Sequence, residues 1–346
     1  MSETMLAIVK EAPGVGFVLK EVPIPEVNAG EVKIRIIKTA ICGTDSHIDK
    51  WDAWSSRTIK PPIIVGHEFV GEIAELGAGV TGFEIGDIVS AEGHLVCEHC
   101  RNCKAGRRHL CINTIGVGVN RDGCFAEYLV VPASNVLKVM PGISLDVAAC
   151  FDPLGNAVHS VLKFDIAGED VLITGAGPIG IMAAALCRFC GAKKIAVTDT
   201  NNYRLELAKK ITPSIYTADP TKKTIKELMR EMGLDEGFDI GLEMSGNAHA
   251  FADMVESMAN GGKIVLLGIH SDKSLINWDR VVFGSQTIQG IYGREMYDTW
   301  YKMMSILQTG LKVEEVITHR FDFRDFAKGF ETVSRGNCGK VVLDWQ

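Results

Sequence analysis

The sequence predicts a two-part α/β protein, in which a β-rich front part is followed by a doubly wound parallel sheet. From Met1 to about Asn156 the apolar runs are short and are interrupted by Gly and Pro, as in EVKIRIIKTAI and EIGDIVSA. From Asp170 onward about six apolar strands alternate with segments of helical period, which is typical of a parallel sheet covered on both faces. The tail from Glu295 is expected to hold one helix and the strands ITHRFDF and KVVLDW.

The composition limits the class of protein. A length of 346 residues, 47% of them apolar, fits about two globular domains with a sizeable core. The formal net charge of −7 disfavours a nucleic-acid binder. The longest apolar run, 171–187, contains Pro178 and three glycines, and no signal-like stretch opens the chain, so we expect a cytoplasmic protein without a membrane span. Because the cytosol keeps thiols reduced, the ten cysteines favour metal binding over disulfides.

A glycine-rich turn predicts dinucleotide binding. Gly175, Gly177 and Gly180 form the pattern GxGxxG between the strand DVLIT and a helix, whose N-terminus offers free N–H groups to a pyrophosphate. Asp199 closes the next strand, where a carboxylate can bind a ribose diol and repel a 2′-phosphate, so NAD is favoured over NADP. Arg204 could serve such a phosphate, but we expect it to contact the adenosine end. The alternative is an ordinary helix-opening turn beside an incidental acid.

Four cysteines in one polar loop predict a structural zinc site. The pattern C-x2-C-x2-C-x7-C places four thiolates within fifteen residues, enough for a closed tetrahedral site that leaves no position for substrate. An iron–sulfur cluster is the alternative occupant, although the spacing does not match the usual motif. Four unligated thiols are the remaining interpretation. The cysteines are Cys97, Cys100, Cys103 and Cys111.

A second set of candidate ligands lies outside that loop. Cys42 follows one β-rich segment, His67 and Glu68 follow another, and Asp152 follows a third. A thiolate, an imidazole and a carboxylate with one open position make a catalytic zinc site. Taken singly, each residue also fits an ordinary buried or solvated role, and their spacing does not unite them.

The chain closely resembles the zinc-dependent medium-chain alcohol dehydrogenases. The resemblance is carried by GHEFVGEIAELGAGVTGFEIGDIV, the four-cysteine loop and GAGPIG. The longer strings TAICGTDSHIDKWDAWSSRTI, FDPLGNAVHSVL and GIYGREMYDTWYKM resemble the branch that oxidises L-threonine. The resemblance runs from about Met5 to the C-terminus.

This resemblance implies roles for matched residues. Cys42, His67 and Glu68 are expected to bind a catalytic zinc ion, and the four-cysteine loop a structural one. Thr44 and His47 are expected to form a proton relay, to which Asp152 contributes. The residues expected to contact NAD are Gly175, Gly177, Ile179, Gly180, Asp199, Arg204, Leu267, Gly268, Ile269, Ile291 and Tyr292.

The resemblance also implies an architecture and a reaction. A GroES-like catalytic domain, residues 1–155, would be completed by 295–346, and residues 156–294 would form a Rossmann NAD-binding domain in a homotetramer. The expected reaction is NAD-dependent oxidation of L-threonine at its secondary hydroxyl to 2-amino-3-oxobutanoate, by zinc-assisted alkoxide formation and hydride transfer. A sorbitol-type polyol dehydrogenase is the alternative within the family. A non-enzymatic zinc and dinucleotide binder and a zinc-ribbon nucleic-acid module are the alternatives outside it.

Overall fold

The structure is a computed structural model that describes residues 3–270 and 273–346. The chain forms two compact units. The first unit comprises Met1–Asp152, Glu295–Met304 and Ile317–Gln346, and the second comprises Pro153–Arg294 and Ser305–Val316. Within the described residues, no helix is both long enough and apolar enough to cross a membrane.

The strands and helices are numbered in chain order. The strands are β1 (Thr4–Lys10), β2 (Val18–Pro23), β3 (Glu31–Ala40), β4 (Ile63–Ile64), β5 (Phe69–Leu76), β6 (Ile88–Ala91), β7 (His94–Leu95), β8 (Ile115–Gly116), β9 (Tyr128–Pro132), β10 (Val136–Lys138), β11 (Asp170–Thr174), β12 (Lys194–Thr198), β13 (Tyr216–Ala218), β14 (Phe238–Glu243), β15 (Met258–Leu266), β16 (Thr287–Gly290), β17 (Ile317–Asp322) and β18 (Lys340–Asp344). The helices are α1 (Gly43–Lys50), α2 (Ser55–Thr58), α3 (Arg101–Lys104), α4 (Leu145–Ala148), α5 (Phe151–Val161), α6 (Pro178–Phe189), α7 (Asn202–Ile211), α8 (Ile225–Met232), α9 (Ala248–Ser257), α10 (Trp278–Phe283), α11 (Asp298–Gln308) and α12 (Phe326–Arg335).

The first unit is rich in β-structure, as the short apolar runs predict. Its main sheet has the order β10-β6-β5-β3-β18-β17, and β9 also pairs with β3. A smaller sheet has the order β2-β1-β4. Apolar side chains on β3 and β5, among them Ile34, Ile36 and Ile73, are buried in a core that also contains Phe125. Alternating burial along β3 is what a half-buried strand of this composition produces.

The C-terminal tail completes the main sheet of this unit. β18 pairs antiparallel with β3, so that Val342 lies opposite Ala40. This pairing places Lys340, the first residue of β18, beside the chain that leaves β3. The tail also contains α12, which the sequence analysis did not predict. Its apolar side contributes Phe330 to the core of the first unit.

The second unit contains the predicted doubly wound sheet. Six parallel strands have the order β13-β12-β11-β14-β15-β16. All five residues of β11 are buried, because a central strand of such a sheet is covered on both faces. In sheets of this order, ligands bind at the carboxyl ends of the strands, where the strand order reverses. That position is the edge formed by the ends of β11, β12 and β14.

The segment 305–316 belongs to the second unit, whereas the sequence analysis groups it with the front part. The short turn Glu314–Val316 lies against α6 and α7, and Lys210 on α7 forms an ion pair of 2.8 Å with Glu315. The chain therefore leaves the first unit within α11 and returns to it at β17.

Candidate functional site

One candidate metal centre lies in the first unit. Cys42 is the N-cap of α1 and has an extended backbone, while His67 and Glu68 occupy the turn between β4 and β5. The structure brings one ligand atom of each residue within 4.8 Å of the others. These are the three residues that the resemblance assigns to the catalytic zinc ion. Cys42 is 25 residues before His67 in the sequence, and the pairing of β3 with β5 in one sheet brings the two segments together.

The Glu68 carboxylate has two distinct oxygens. Lys340 Nζ lies 2.5 Å from Oε2 and also donates to the main-chain oxygen of Ile41 at 2.8 Å. Oε1 is buried and has no hydrogen-bond partner in the described part of the chain. Burying a carboxylate oxygen without a partner costs folding free energy unless a cation or a hydrogen-bond donor contacts it. This donor set therefore fits a zinc ion.

A further carboxylate lies behind His67. Asp45 on α1 is fully buried, and its Oδ1 lies 3.8 Å from His67 Nδ1. Neither atom has a hydrogen-bond partner among the described residues. Burial opposes protonation of His67, but the charges of Cys42 and Asp45 raise the pKa of this imidazole well above its usual value. In metal sites such a carboxylate orients the ligating imidazole through the second ring nitrogen.

Asp152 lies beside this donor set without belonging to it. It is the second residue of α5, and a Cβ built at Gly93 would lie 3.9 Å from its Oδ1 and 3.7 Å from the His67 Cβ. Burial raises the pKa of Glu68, and the negative charge of Asp152 raises the pKa of both Glu68 and His67. The contribution of Asp152 to proton transfer near the metal stays a prediction.

The two residues of the expected proton relay lie on α1. Thr44 and His47 are three positions apart, so their side chains share one face of the helix. His47 Nδ1 lies 2.6 Å from Asp52 Oδ2, and the other oxygen of Asp52 accepts from the Ser55 main-chain N–H at 2.9 Å. These hydrogen bonds, that from Ser55 first, lower the pKa of Asp52 to about 2. Asp52 is therefore ionised at neutral pH and holds one side of the imidazole.

The four-cysteine loop forms a second candidate metal centre in the same unit. The sulfurs of Cys97, Cys100, Cys103 and Cys111 all lie within 4.8 Å of one another. The Cys97–Cys111 and Cys100–Cys103 sulfur pairs are each 3.5 Å apart. A tetrahedron with zinc–sulfur bonds of about 2.3 Å has edges of about 3.8 Å, so this spacing fits zinc closely.

The loop also stabilises thiolates through main-chain donors. The N–H groups of Cys100 and Asn113 lie 3.4 Å from Cys97 Sγ and 3.3 Å from Cys111 Sγ, respectively. Hydrogen bonding, first from the Asn113 side chain, lowers the pKa of Cys97 to about 6, whereas burial raises the pKa of Cys103 to about 12. Four thiolates packed this closely require a cation, which supports the same assignment.

The glycine-rich turn of the second unit has the shape that a pyrophosphate needs. A Cβ built at Gly180 would lie 1.9 Å from the Gly175 main-chain oxygen, so the third glycine allows the helix to approach the turn. A Cβ built at Gly177 would meet no described atom within 4 Å. Gly177 is the N-cap of α6, so the open space borders the free N–H groups of that helix.

Asp199 and Arg204 lie next to this turn. Asp199 accepts hydrogen bonds from the Ala176 main-chain N–H at 2.7 Å and from the Asn201 N–H at 2.8 Å. The carboxylate thus joins the glycine-rich turn to the start of α7. Arg204, in the first turns of α7, is half-buried, and its Nε has no hydrogen-bond partner within residues 3–270 and 273–346.

The remaining predicted NAD contacts lie at the ends of β15 and β16. Leu267, Gly268 and Ile269 follow β15, and Ile291 and Tyr292 follow β16. Because these strands are neighbours in the sheet, the two segments lie side by side, and the Ile291 N–H donates to the Leu266 oxygen at 2.9 Å. Ile269 is 94% exposed, which leaves its side chain available to a ligand.

Several residues of these sites were not found by the sequence analysis. Asp45 occupies the third position of the helix that Cys42 caps, so the capping-box pattern could have identified it. Asp52 could have been identified in the same way, since its side chain accepts a hydrogen bond from the main-chain N–H of Ser55, three residues later. Lys340 offered none, since it is 272 residues from Glu68 and reaches it only through the β3–β18 pairing.

Comparison with known proteins identifies the family. Residues 28–141 match the alcohol dehydrogenase GroES-like domain, and residues 178–309 match the zinc-binding dehydrogenase family. An L-threonine 3-dehydrogenase of Alteromonas mediterranea is 56% identical over 99% of this chain and 100% of its own length. The L-threonine 3-dehydrogenase of Vibrio cholerae is 54% identical over 98% and 99%.

Solved structures agree with this result. A short-chain alcohol dehydrogenase of Escherichia coli CFT073, complexed with NADH, superposes with a TM-score of 0.91 at 28% identity, over 99% of this chain and 100% of the other. The alcohol dehydrogenase TADH of Thermus sp. ATN1 gives 0.90 at 26% identity, over 98% and 99%. The GroES-like and Rossmann fold class expected from the sequence is thereby confirmed. The chain belongs to the zinc-dependent medium-chain alcohol dehydrogenases, and within them to the L-threonine 3-dehydrogenase family.

Proposed function

We propose that this protein oxidises L-threonine at its secondary hydroxyl with NAD, giving 2-amino-3-oxobutanoate. The observation that carries the proposal is the donor set of Cys42, His67 and the buried Glu68, whose carboxylate oxygen Oε1 has no hydrogen-bond partner among the described residues. This donor set occurs in a chain that is 56% identical to an L-threonine 3-dehydrogenase over nearly its whole length.

The two metal centres have different tasks. Cys42, His67 and Glu68 would hold a catalytic zinc ion, and Cys97, Cys100, Cys103 and Cys111 a structural one, making two ions per chain. When bound, the catalytic zinc ion supplies a Lewis acid that lowers the pKa of the substrate hydroxyl, and NAD accepts the hydride. Four thiolates leave no position for substrate, so the second ion stabilises its loop.

The proton leaves through side chains of α1. The Thr44 hydroxyl accepts the proton of the substrate hydroxyl while its own proton passes to His47 Nε2. This transfer requires the tautomer in which His47 carries its proton on Nδ1, and the hydrogen bond to Asp52 favours that tautomer. The side chain of His47 is 63% exposed, so water can take the proton from it. Asp152, beside His67, assists proton transfer at the metal end.

The second unit would bind the dinucleotide. The pyrophosphate would occupy the open space at Gly177, beside Gly175 and Gly180, and receive hydrogen bonds from the N-terminus of α6. Asp199, with Ile179 and Arg204, would hold the adenosine half. The nicotinamide half would contact the segments that follow β15 and β16, namely Leu267, Gly268, Ile269, Ile291 and Tyr292. We assign catalysis to the domain of 1–155 with 295–346, apart from the segment 305–316 that belongs to the second unit, and NAD binding to 156–294.

Activity and metal content together test the proposal. We expect NADH formation with L-threonine to exceed that with sorbitol by orders of magnitude, and two zinc ions per chain. Rapid NADH formation with sorbitol and none with L-threonine would establish the polyol alternative. One zinc ion per chain and no turnover of either substrate would favour a non-enzymatic binder.

We also propose a homotetramer in the cytoplasm. The strand β16 is at the edge of its sheet, and exposed apolar side chains lie nearby in sequence on α10, including Trp278, Val282 and Phe283. Patches of this kind commonly mark contacts between protein chains. None of the ten cysteines is in a disulfide, which supports a reducing compartment. Light scattering of the purified protein checks the mass expected for four chains.

A further inference from the structure

A buried hydrogen-bonded cluster lies where three strands of the second unit end. Its centre is the carboxylate of Glu243, the last residue of β14, which is fully buried. Thr174 Oγ1, at the end of β11, lies 3.4 Å from one carboxylate oxygen, and His270 Nε2, beyond β15, lies 3.2 Å from the other. These residues, with Ser245 and Gly246, are called the Glu243 cluster. It joins the carboxyl ends of three adjacent parallel strands, where doubly wound sheets bind ligands.

Donors around Glu243 satisfy the hydrogen-bonding capacity of its buried carboxylate. The main-chain N–H of Ser245 donates at 2.9 Å, that of Gly246 at 3.1 Å, and the Ser245 hydroxyl also donates. A buried charge is tolerated when hydrogen bonds replace its hydration in this way. The cluster is therefore a rigid attachment point, and His270 is its only member from the segment that follows β15.

His270 is held on three sides. Besides the Nε2 contact with Glu243, His270 has two further contacts. Its Nδ1 lies 2.5 Å from Ser274 Oγ, and its ring packs edge-on against Phe251 with 5.5 Å between the ring centroids. A neutral imidazole satisfies both polar contacts when it donates from Nε2 to the carboxylate and accepts from the Ser274 hydroxyl. The side chain is 14% exposed, so its position is well defined by its neighbours.

The residues directly before His270 are those expected to contact the nicotinamide half of NAD. The N–H groups of Leu267 and Gly268 donate to the Glu243 main-chain oxygen at 3.1 and 3.0 Å. A Cβ built at Gly268 would lie 2.2 Å from Glu243 Oε2, so this segment packs directly on the carboxylate. Segment 267–269 is thus attached to Glu243 through its backbone at one end and through His270 at the other.

We propose that His270, through Glu243, is a positioning residue that fixes segment 267–269 for binding the nicotinamide half of NAD. The inference rests on the proposed function, since it takes NAD as the ligand. It predicts that loss of the His270–Glu243 hydrogen bond weakens binding of the nicotinamide half and leaves the adenosine half unaffected.

Comparison of NAD with ADP-ribose tests this inference, because ADP-ribose lacks the nicotinamide ring. Titration calorimetry on the zinc-loaded protein gives both dissociation constants without turnover. In His270→Leu we expect the constant for NAD to rise about tenfold, the effect of one lost charge-assisted hydrogen bond, and that for ADP-ribose to stay within about twofold. His270→Gln keeps an N–H donor of similar reach, so it should restore NAD binding to within about threefold of the unaltered protein.

Two control variants separate positioning from loss of structure. His249→Leu removes an exposed histidine of the same unit and should change neither constant. Asp199→Ala should weaken both ligands, because it acts on the half that they share. Equal weakening of NAD and ADP-ribose in His270→Leu, or unchanged NAD binding, would overturn the inference. If the unaltered protein bound neither nucleotide, the proposed function itself would be wrong, and the inference with it.

Discussion

The buried pair of Lys340 and Glu68 offers the sharpest test of how the first unit is held together. Lys340 is 4% exposed and Glu68 is 1% exposed, and no water separates charges 2.5 Å apart. Burial alone would lower the pKa of Lys340, but the Glu68 carboxylate raises it above the usual value. Replacing Lys340 by Met keeps the length of the side chain and removes its charge, which leaves the buried Oε2 of Glu68 without the ammonium group that it faces.

The expected cost follows from the burial of both partners. Removing one member of a buried ion pair typically costs about 3–5 kcal/mol of unfolding free energy, because the other charge stays desolvated. Replacing both members by apolar side chains of similar volume is often nearly neutral. We therefore expect Lys340→Met to lose about 3–5 kcal/mol, and the double variant Lys340→Met with Glu68→Leu to recover most of that loss.

Urea unfolding at a fixed zinc concentration measures these differences. The matched control is Lys302→Met, since Lys302 and Asp298 form a pair of 2.7 Å whose side chains are 56% and 57% exposed. Exposed pairs contribute little, so this variant should change the unfolding free energy by at most about 0.5 kcal/mol. A loss in Lys340→Met no larger than that in Lys302→Met would refute the reasoning, and so would a double variant whose loss equals the sum of its two single losses.

Four further predictions concern the sites themselves. Cys42→Ser should abolish turnover and leave calorimetric NAD binding intact, whereas Cys103→Ala should release the structural zinc ion and lower the melting temperature, as metal analysis and circular dichroism would show. Asp199→Ala should raise the KM for NAD and reduce the preference for NAD over NADP in steady-state kinetics. Unchanged cofactor kinetics would contradict the placement of Asp199 at the adenosine half of NAD. The pKa of Asp52 is lowered from 3.8 to about 2 in the folded state, so its stabilising effect is complete above about pH 4 and disappears as the pH falls through 2. Asp52→Asn should therefore flatten the pH dependence of urea unfolding between pH 4 and pH 2. At neutral pH it should lower kcat by a larger factor than the factor by which it changes KM.

The parts of the structure that depend on neighbouring residues were predictable. The spacing of Gly175, Gly177 and Gly180 between a strand and a helix indicated the turn, because Gly175 has a positive φ and a side chain at Gly180 would collide with the Gly175 oxygen. The four-cysteine spacing likewise predicted a cluster, because cysteines separated by two residues in a polar loop are typical zinc ligands. The helix α12 was missed because its residues, FAKGFETVSR, include a glycine in mid-helix and follow a β-rich segment.

The parts that depend on tertiary pairing were not predictable. Glu68 was recognised as a candidate ligand, but nothing near it in sequence indicates that one of its oxygens is held by Lys340. Glu243 and His270 were not singled out, because a carboxylate at a strand end and a histidine in a polar loop have many ordinary roles. Their contact becomes visible only when β14 and β15 are placed side by side.

The difference between the predictable and the unpredictable parts of the structure has a physical cause, which also affects how these sites function. A binding site needs side chains of a suitable chemical type, and those types can be read directly from the local sequence. The charge balance of a buried site depends on residues from other parts of the fold. The buried carboxylates of Glu68 and Glu243 are each balanced from outside their own segments, Glu68 by β18 and Glu243 by donors that include a residue beyond β15. A substitution at Lys340 or His270 therefore changes how a site holds its ligand although neither residue is expected to touch that ligand. Variants at these two positions should consequently show altered binding or stability while every predicted ligand residue is still in place.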